Sequence, residues 1–246
     1  MMNFFHRKGG KPFLVLNVED DSIKSLILKK EGKKLSILAN TLLGCNESNV
    51  KESISQSVEQ VFKNYKGLSK KGWKGFPLLL GLPSSILKAR TISVNFTRED
   101  NSNISELEEK NILNKALFDT KREIEKEFVF DSGIMPKDIR WTNFKILERK
   151  INGYQVSRLL GFNGKELEIK LLSTFLPENN FHEIKSVIDN IGLKIIKIAH
   201  IAEATSESDN KVIYPNDLKN IINLPEDSKR LFVPTLLLSY YAKEVF

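Results

Sequence analysis

The chain holds one cysteine, Cys45, in 246 residues. It cannot close a disulfide within itself or build a thiolate metal cluster, and this usage fits a reducing compartment. Histidine is scarce too. His6, His182 and His200 lie far apart without ligand spacing and read as surface or ordinary core residues. Trp73 and Trp141 read as packing residues rather than base-stacking platforms. Long apolar runs are missing: Leu231 to Tyr241 is far short of a membrane span. Phe13 to Val18 is interrupted by Asn17 and runs into acids, too short for a signal-peptide core and without a small-residue cleavage site. G-x-S-x-G, H-E-x-x-H, Walker and dinucleotide-binding glycine patterns are all absent. The expectation is a cytoplasmic, soluble chain with no metal and no cofactor.

What is present supports a packed core. The chain is 41% apolar and 28% charged, enough to bury one large domain or two small ones. The formal charge is +7, with lysines scattered in interrupted clusters such as Lys29-Lys30 and Lys70-Lys71. These read first as solvated loops and strand edges, and second as a nucleic-acid or anionic-lipid patch. No zinc finger, aromatic RNA-binding motif or helix-turn-helix spacing sharpens the second reading, so no nucleic acid is expected.

Residues 1–11 read as a flexible arm, with a second reading as a membrane-surface contact through Phe4 and Phe5 beside His6, Arg7 and Lys8. Phe13 to Val18, Ser22 to Lys30 and Lys33 to Leu42 read as three strands, with Glu31-Gly32 as a hairpin turn. Val50 to Tyr65 has helical apolar spacing, and Phe76 to Leu82 is a short buried strand. From there the pattern gives a strand (Ala89 to Phe96), a long helix (Asn103 to Glu127, capped by Ser102 or Asn103), two strands around Asn152-Gly153, and a strand over Glu166 to Leu176. A helix from Phe181 to Ile191 closed by Gly192 and a strand over Leu193 to Ile198 complete a small α+β module. Gly161 to Gly164 reads as a turn rather than a phosphate cradle. A polar stretch over 205–228 precedes a closing helix over 233–245.

One turn raises a chemical question. Between the first two strands stand Glu19, Asp20 and Asp21, where several phosphate-binding folds place their first phosphate loop. Such loops use glycine, so that backbone N–H groups can approach, and small hydroxyls that donate. Carboxylates only accept hydrogen bonds and repel phosphate. A like-charge contact near 4 Å costs about 4 kcal/mol at a screened dielectric. The same acids could hold a divalent cation, but adjacent acids in a turn rarely converge on one ion, so a solvated turn is the first reading.

The element order, with GLPSSILKARTISVNFTRED at 81–100, resembles the bacterial actin-like proteins of the FtsA and PilM group, which serve cell division and type IV pilus assembly. In that family the first strand carries a pattern like D-I-G-T-S-S-V-K; here the matching residues are Asn17, Val18, Glu19, Asp20, Asp21, Ser22, Ile23 and Lys24. The family junction G-x-P…R-x-x-x-V-x-F matches Gly81, Pro83, Arg90, Val94 and Phe96. INGYQVSRLLGFNGKELEIKLLSTFLP at 151–177 and NIGLKIIKIAHIAEA at 190–204 are similar to the inserted SHS2-type subdomain, called 1C. LPEDSKRLFVPTLLLSYYAKEV at 224–245 is similar to the final helix. The family's second phosphate loop, D-x-G-G-x-T-T, and its adenosine-binding G-G segment find no match.

The resemblance implies an α/β (α+β) fold: a truncated actin-like, ribonuclease H-like subdomain 1A over 12–87, the SHS2-type subdomain over 88–200, and a return to 1A over 201–246. It implies a non-catalytic adaptor at the inner face of the cytoplasmic membrane. Asn17 replaces the Asp expected to orient a magnesium-bound water, and the acids spoil the first phosphate loop, so ATP binding and hydrolysis are expected to be lost. The partner implied is a membrane protein's cytoplasmic peptide, in a groove near Gly81 to Arg90 with Ile195 to Ala202 opposite; its residues would be Gly81, Pro83, Arg90, Ile198 and Ile201. Self-association through the SHS2 subdomain and peripheral membrane association are further expectations. The alternative is half of a split actin-like ATPase whose second lobe is on another chain.

Overall fold

The computed structural model describes residues 11–31, 34–46, 49–65, 70–200, 232 and 234–238. Ile201, the polar stretch 205–228, Tyr240 and Tyr241, and all of the N-terminal arm except Lys11 lie outside them. The chain divides into two compact units, Met1–Ser85 with His182–Phe246, and Ile86–Phe181.

The first unit is built on a mixed sheet ordered β3-β2-β1-β4-β9. β1 (Pro12–Val18), β2 (Ser22–Glu31) and β3 (Lys34–Gly44) form an antiparallel meander. β4 (Phe76–Gly81) runs parallel to β1, and β9 (Leu193–Ala199) parallel to β4. β1 is apolar on both faces because both are covered. On one face α1 (Val50–Asn64) buries Ile54, Val58, Val61 and Phe62, and its Ser57 hydroxyl meets Ser25 of β2 at 2.6 Å. On the other face Phe13, Val15, Leu26, Leu28 and Leu79 pack with Phe232, Leu236 and Leu238, residues of a helical segment within the span expected to close the chain. Trp73, expected to be a packing residue, stacks on Phe62 at 4.6 Å.

The second unit is a four-stranded antiparallel sheet ordered β5-β8-β6-β7. Its strands are β5 (Lys88–Thr97), β6 (Ile139–Ile151), β7 (Tyr154–Gln155) and β8 (Glu166–Pro177). α2 (Glu106–Ser132) buries Ala116, Thr120 and Ile124. Ser105, rather than Ser102 or Asn103, caps this helix by accepting from the Glu108 N–H at 3.2 Å, and Gly133 ends it in the left-handed region at φ 70°. Asn152 and Gly153 take positive φ in the β6–β7 turn, as the Asn-Gly signal predicts.

Two expectations need correction. The strand expected over Gly153 to Leu160 is only two residues long. The Val156 N–H still donates to the Arg149 carbonyl of β6 at 2.9 Å, but beyond it the Leu159 N–H donates to Glu109 at 2.7 Å and Leu159 is fully buried. Nearby, Arg98 grips Glu108 through two nitrogens and donates to the carbonyls of Ser102 and Gly164. The second correction concerns Leu193 to Ile198, expected in the α+β module. It pairs with β4 in the first sheet instead, Phe76 opposite Leu193 and Gly81 opposite Ala199. Alternation marks a strand but not its partner. The division between the units falls inside α3 (Glu178–Ile191).

At Gly81 the first sheet leaves no room for a side chain. A Cβ there would lie 2.4 Å from Leu238 Cδ1 and 2.5 Å from Asn17 Oδ1. Overpacking of this kind costs about 1–3 kcal/mol, so Gly81→Ala is expected to lower Tm by several degrees in calorimetry. Gly44, with nothing within 4 Å of the same added carbon, is the control and should lose no stability as alanine.

Candidate functional site

The acidic turn between β1 and β2 is closed on itself. The Glu19 N–H donates to the Ser22 carbonyl at 2.8 Å, so it is used inside the turn rather than offered outward. The Glu19 carboxylate accepts from Asn17 Nδ2 at 2.9 Å and forms an ion pair with Lys24. Ser22 Oγ lies 3.0 Å from Asp21 and 3.3 Å from Glu19, and its single proton serves one of them at a time. Asp20 accepts from Ser85 Oγ at 2.7 Å, which ties the turn to the segment after β4. The Asp21 carbonyl accepts from the Cys45 N–H at 2.9 Å, which ties it to the end of β3.

The register explains why these residues meet. Asn17 stands opposite Lys24 across β1 and β2, and opposite Gly81 across β1 and β4. Lys24 is in phase with Leu26 and Leu28, which point into the core. Its side chain is only 8% exposed, and that of Glu19 30%. A buried ammonium needs a paired charge, and Glu19 supplies it five residues earlier. Sequence reading found Asn17, Glu19, Ser22 and Lys24 but missed that the lysine faces inward. The signal was available: a lysine in phase with Leu26 and Leu28, both apolar and on one face of the strand. The ties through Ser85 and Cys45 are contacts between distant positions and left no local signal.

The three carboxylates do not converge. Glu19 is taken by Lys24 and Asn17, Asp20 by Ser85, and among the described residues no group of three His, Cys, Asp or Glu is arranged to hold a metal ion. The expected groove residues fall in different settings. Gly81 ends β4 and is buried; Ile198 of β9, opposite the neighbouring Leu80, is buried too. Pro83 is half-buried just beyond β4, and Arg90 is an exposed residue of β5 in the second unit. No helix among the described residues is long and apolar enough to cross a membrane.

No protein-family model and no curated protein matches the chain. Solved structures do. A structure of the PilM-PilN type IV pilus biogenesis complex matches with a TM-score of 0.50 at 10% identity, over 78% of this chain and 48% of that one. The cytoplasmic domain of EpsL, an inner membrane component of the type II secretion system of Vibrio cholerae, matches with a TM-score of 0.40 at 8% identity, over 79% of this chain and 59% of that one. The chain thus spans about half the length of the PilM-PilN chain it matches. At this identity the first likeness establishes the fold: the mixed α/β architecture expected from the sequence is the one shared with that chain.

Cys45 reports on the charge of the turn. Burial raises its thiol above the ordinary range, and Asp21, Asp20 and Glu19 raise it further. A raised pKa leaves less thiolate at any given pH, and thiolate is the nucleophile. Alkylation by iodoacetamide at neutral pH, followed by mass spectrometry, is therefore expected to be slower than for a free thiol. Asp21→Asn should speed it by removing the largest of the three charges' effects. A wild-type rate at or above that of a free thiol would contradict the picture.

Proposed function

We propose that this chain is a non-catalytic, actin-like adaptor of the PilM type that has given up ATP and binds a cytoplasmic peptide of a membrane protein, in pilus-type assembly. The observation that carries this reading is the closed turn at 19–22. Its Glu19 N–H is spent on Ser22, its Glu19 carboxylate neutralises Lys24, and Asp20 and Asp21 stand where a phosphate would need donors. Extended-peptide recognition requires sheet edges and side-chain pockets, not a nucleotide. The fold shared with a chain of the PilM-PilN complex supports the choice of partner class, since that protein is one component of a protein complex.

The test is titration calorimetry of the purified chain with magnesium ATP at millimolar concentration, after circular dichroism has shown it folded. No heat is expected. Synthetic peptides from the cytoplasmic ends of inner-membrane proteins should then give saturable heat in the absence of nucleotide. Clear ATP binding would remove the adaptor reading and favour a rebuilt nucleotide site.

A further inference from the structure

Among the described residues, one sheet edge lacks the devices that blunt the others. A long regular edge offers free backbone groups to other chains, and proteins guard such edges with bulges, charges or covering groups. β3 breaks register between Ile27 and Leu28 of β2, and its Asn40 carbonyl accepts from Asn64 Nδ2 of α1 at 3.1 Å. β9 breaks register between Leu78 and Leu79 of β4 and carries Lys194 and Lys197. β6 breaks register twice against β8, and β7 is two residues long. β5 pairs with β8 without a shift, and its stretch TISVNFT at 91–97 has no charge, proline or glycine. The phase of its hydrogen bonds is set at one end. The Arg98 N–H donates to the Lys165 carbonyl at 2.8 Å, one step beyond the facing pair Thr97 and Glu166. Facing residues of an antiparallel ladder alternate between bonded and non-bonded pairs, so Phe96, Val94 and Ile92 bond inward to β8. Thr91, Ser93, Asn95 and Thr97 turn their N–H and C=O groups outward, where they meet no partner among the described residues. Beside this edge lies an open polar pocket of about 380 Å³, lined in part by Asn95, Thr97, Glu166 and Glu168. Lys150 meets Glu168 at 3.3 Å, but Glu166 has no ion-pair partner among the described residues, so the pocket is net negative.

We propose that β5 is a strand-addition site for an extended segment of a partner protein, apolar at alternate positions and with a lysine or arginine at one of the positions between. In strand addition the backbone ladder gives affinity and side-chain pockets give specificity. The outward groups of Thr91 to Thr97 supply the ladder. Successive residues of the added strand lie on opposite faces. Its apolar residues finish covering the half-buried Ile92, Val94 and Phe96. Its other residues fall beside Asn95 and Thr97, whose facing partners on β8 are Glu168 and Glu166. From there β8 is about 10 Å away, two strand spacings. A lysine or arginine reaching inward meets Glu166 reaching outward, and shorter side chains fall short. A second β5 would bring only threonine, serine and asparagine to this face, so another copy of the chain leaves the carboxylate unmatched. The stretch lies beyond Arg90, where the expected groove ends, and its use does not depend on the adaptor reading above.

The test uses two labelled synthetic peptides and fluorescence anisotropy. One alternates valine with threonine and has lysine at its central polar positions; the other has glutamate there. The lysine peptide is expected to bind saturably, and the glutamate peptide about tenfold more weakly or worse. Amide exchange read by NMR should show Thr91, Ser93, Asn95 and Thr97 unprotected in the free chain and protected in the complex. Ser93→Pro removes an outward N–H without touching the ladder to β8, and should abolish binding with the circular dichroism spectrum intact. Glu166→Gln should erase most of the preference for lysine. The proposal is overturned if the folded chain ignores the lysine peptide, if it binds both peptides equally, or if these amides are already protected because two copies pair through β5. A peptide held equally well by Ser93→Pro overturns this site while leaving the peptide-binding reading above in place.

Discussion

A lysine ammonium lies inside the first sheet, and the Glu19 carboxylate is what lets it stay there. Lys24 occupies a position that its strand neighbours Leu26 and Leu28 define as core. An isolated charge in that layer would be strongly destabilising. The pairing also fixes what the turn above it can be. The Glu19 carboxylate is aimed back at β2 by Lys24, and Asn17 donates to its second oxygen. In a phosphate loop the same short segment would present bare N–H groups to a ligand. Here the Glu19 N–H is spent on the Ser22 carbonyl and the Glu19 carboxylate on Lys24.

The rest of the first unit is arranged around that constraint. Gly81 has no side chain because Asn17 and Leu238 already fill the space above it. Ser85 and Cys45 arrive from the ends of β4 and β3 to bind the turn's outer rim. The chain leaves after β4, builds the whole second unit, and returns to add β9 beside β4. The second unit is held in its own way. Arg98 closes the loop before α2 with carboxylate and carbonyl partners, and its sheet is sealed on one side by the inner face of that helix.

Much of this was legible in the residues. Alternation and turn chemistry located β1, β2 and the Asn152-Gly153 hairpin, because these are local features with local causes. The sheet membership of β9 was not legible, because pairing is a long-range choice among several open edges. Nor was the fate of residues 156–160, the end of the strand expected over Gly153 to Leu160, which Glu109 and the burial of Leu159 draw into a loop. Lys24 fell between these cases. Its inward phase was visible, but lysine composition suggested solvent, and only the partner five residues away reverses that reading.

The claim that the acidic turn is a structural lock is best tested by a double-mutant cycle of Glu19→Gln and Lys24→Met, followed by urea unfolding. Breaking a buried pair from one side costs about 3–5 kcal/mol. The lock predicts that Glu19→Gln alone is strongly destabilising, and that the double variant recovers part of the loss, with a coupling of about 1.5 kcal/mol or more. Single effects that add to within about 0.5 kcal/mol would mean that Glu19 and Lys24 act independently, and the turn would then be free for other chemistry.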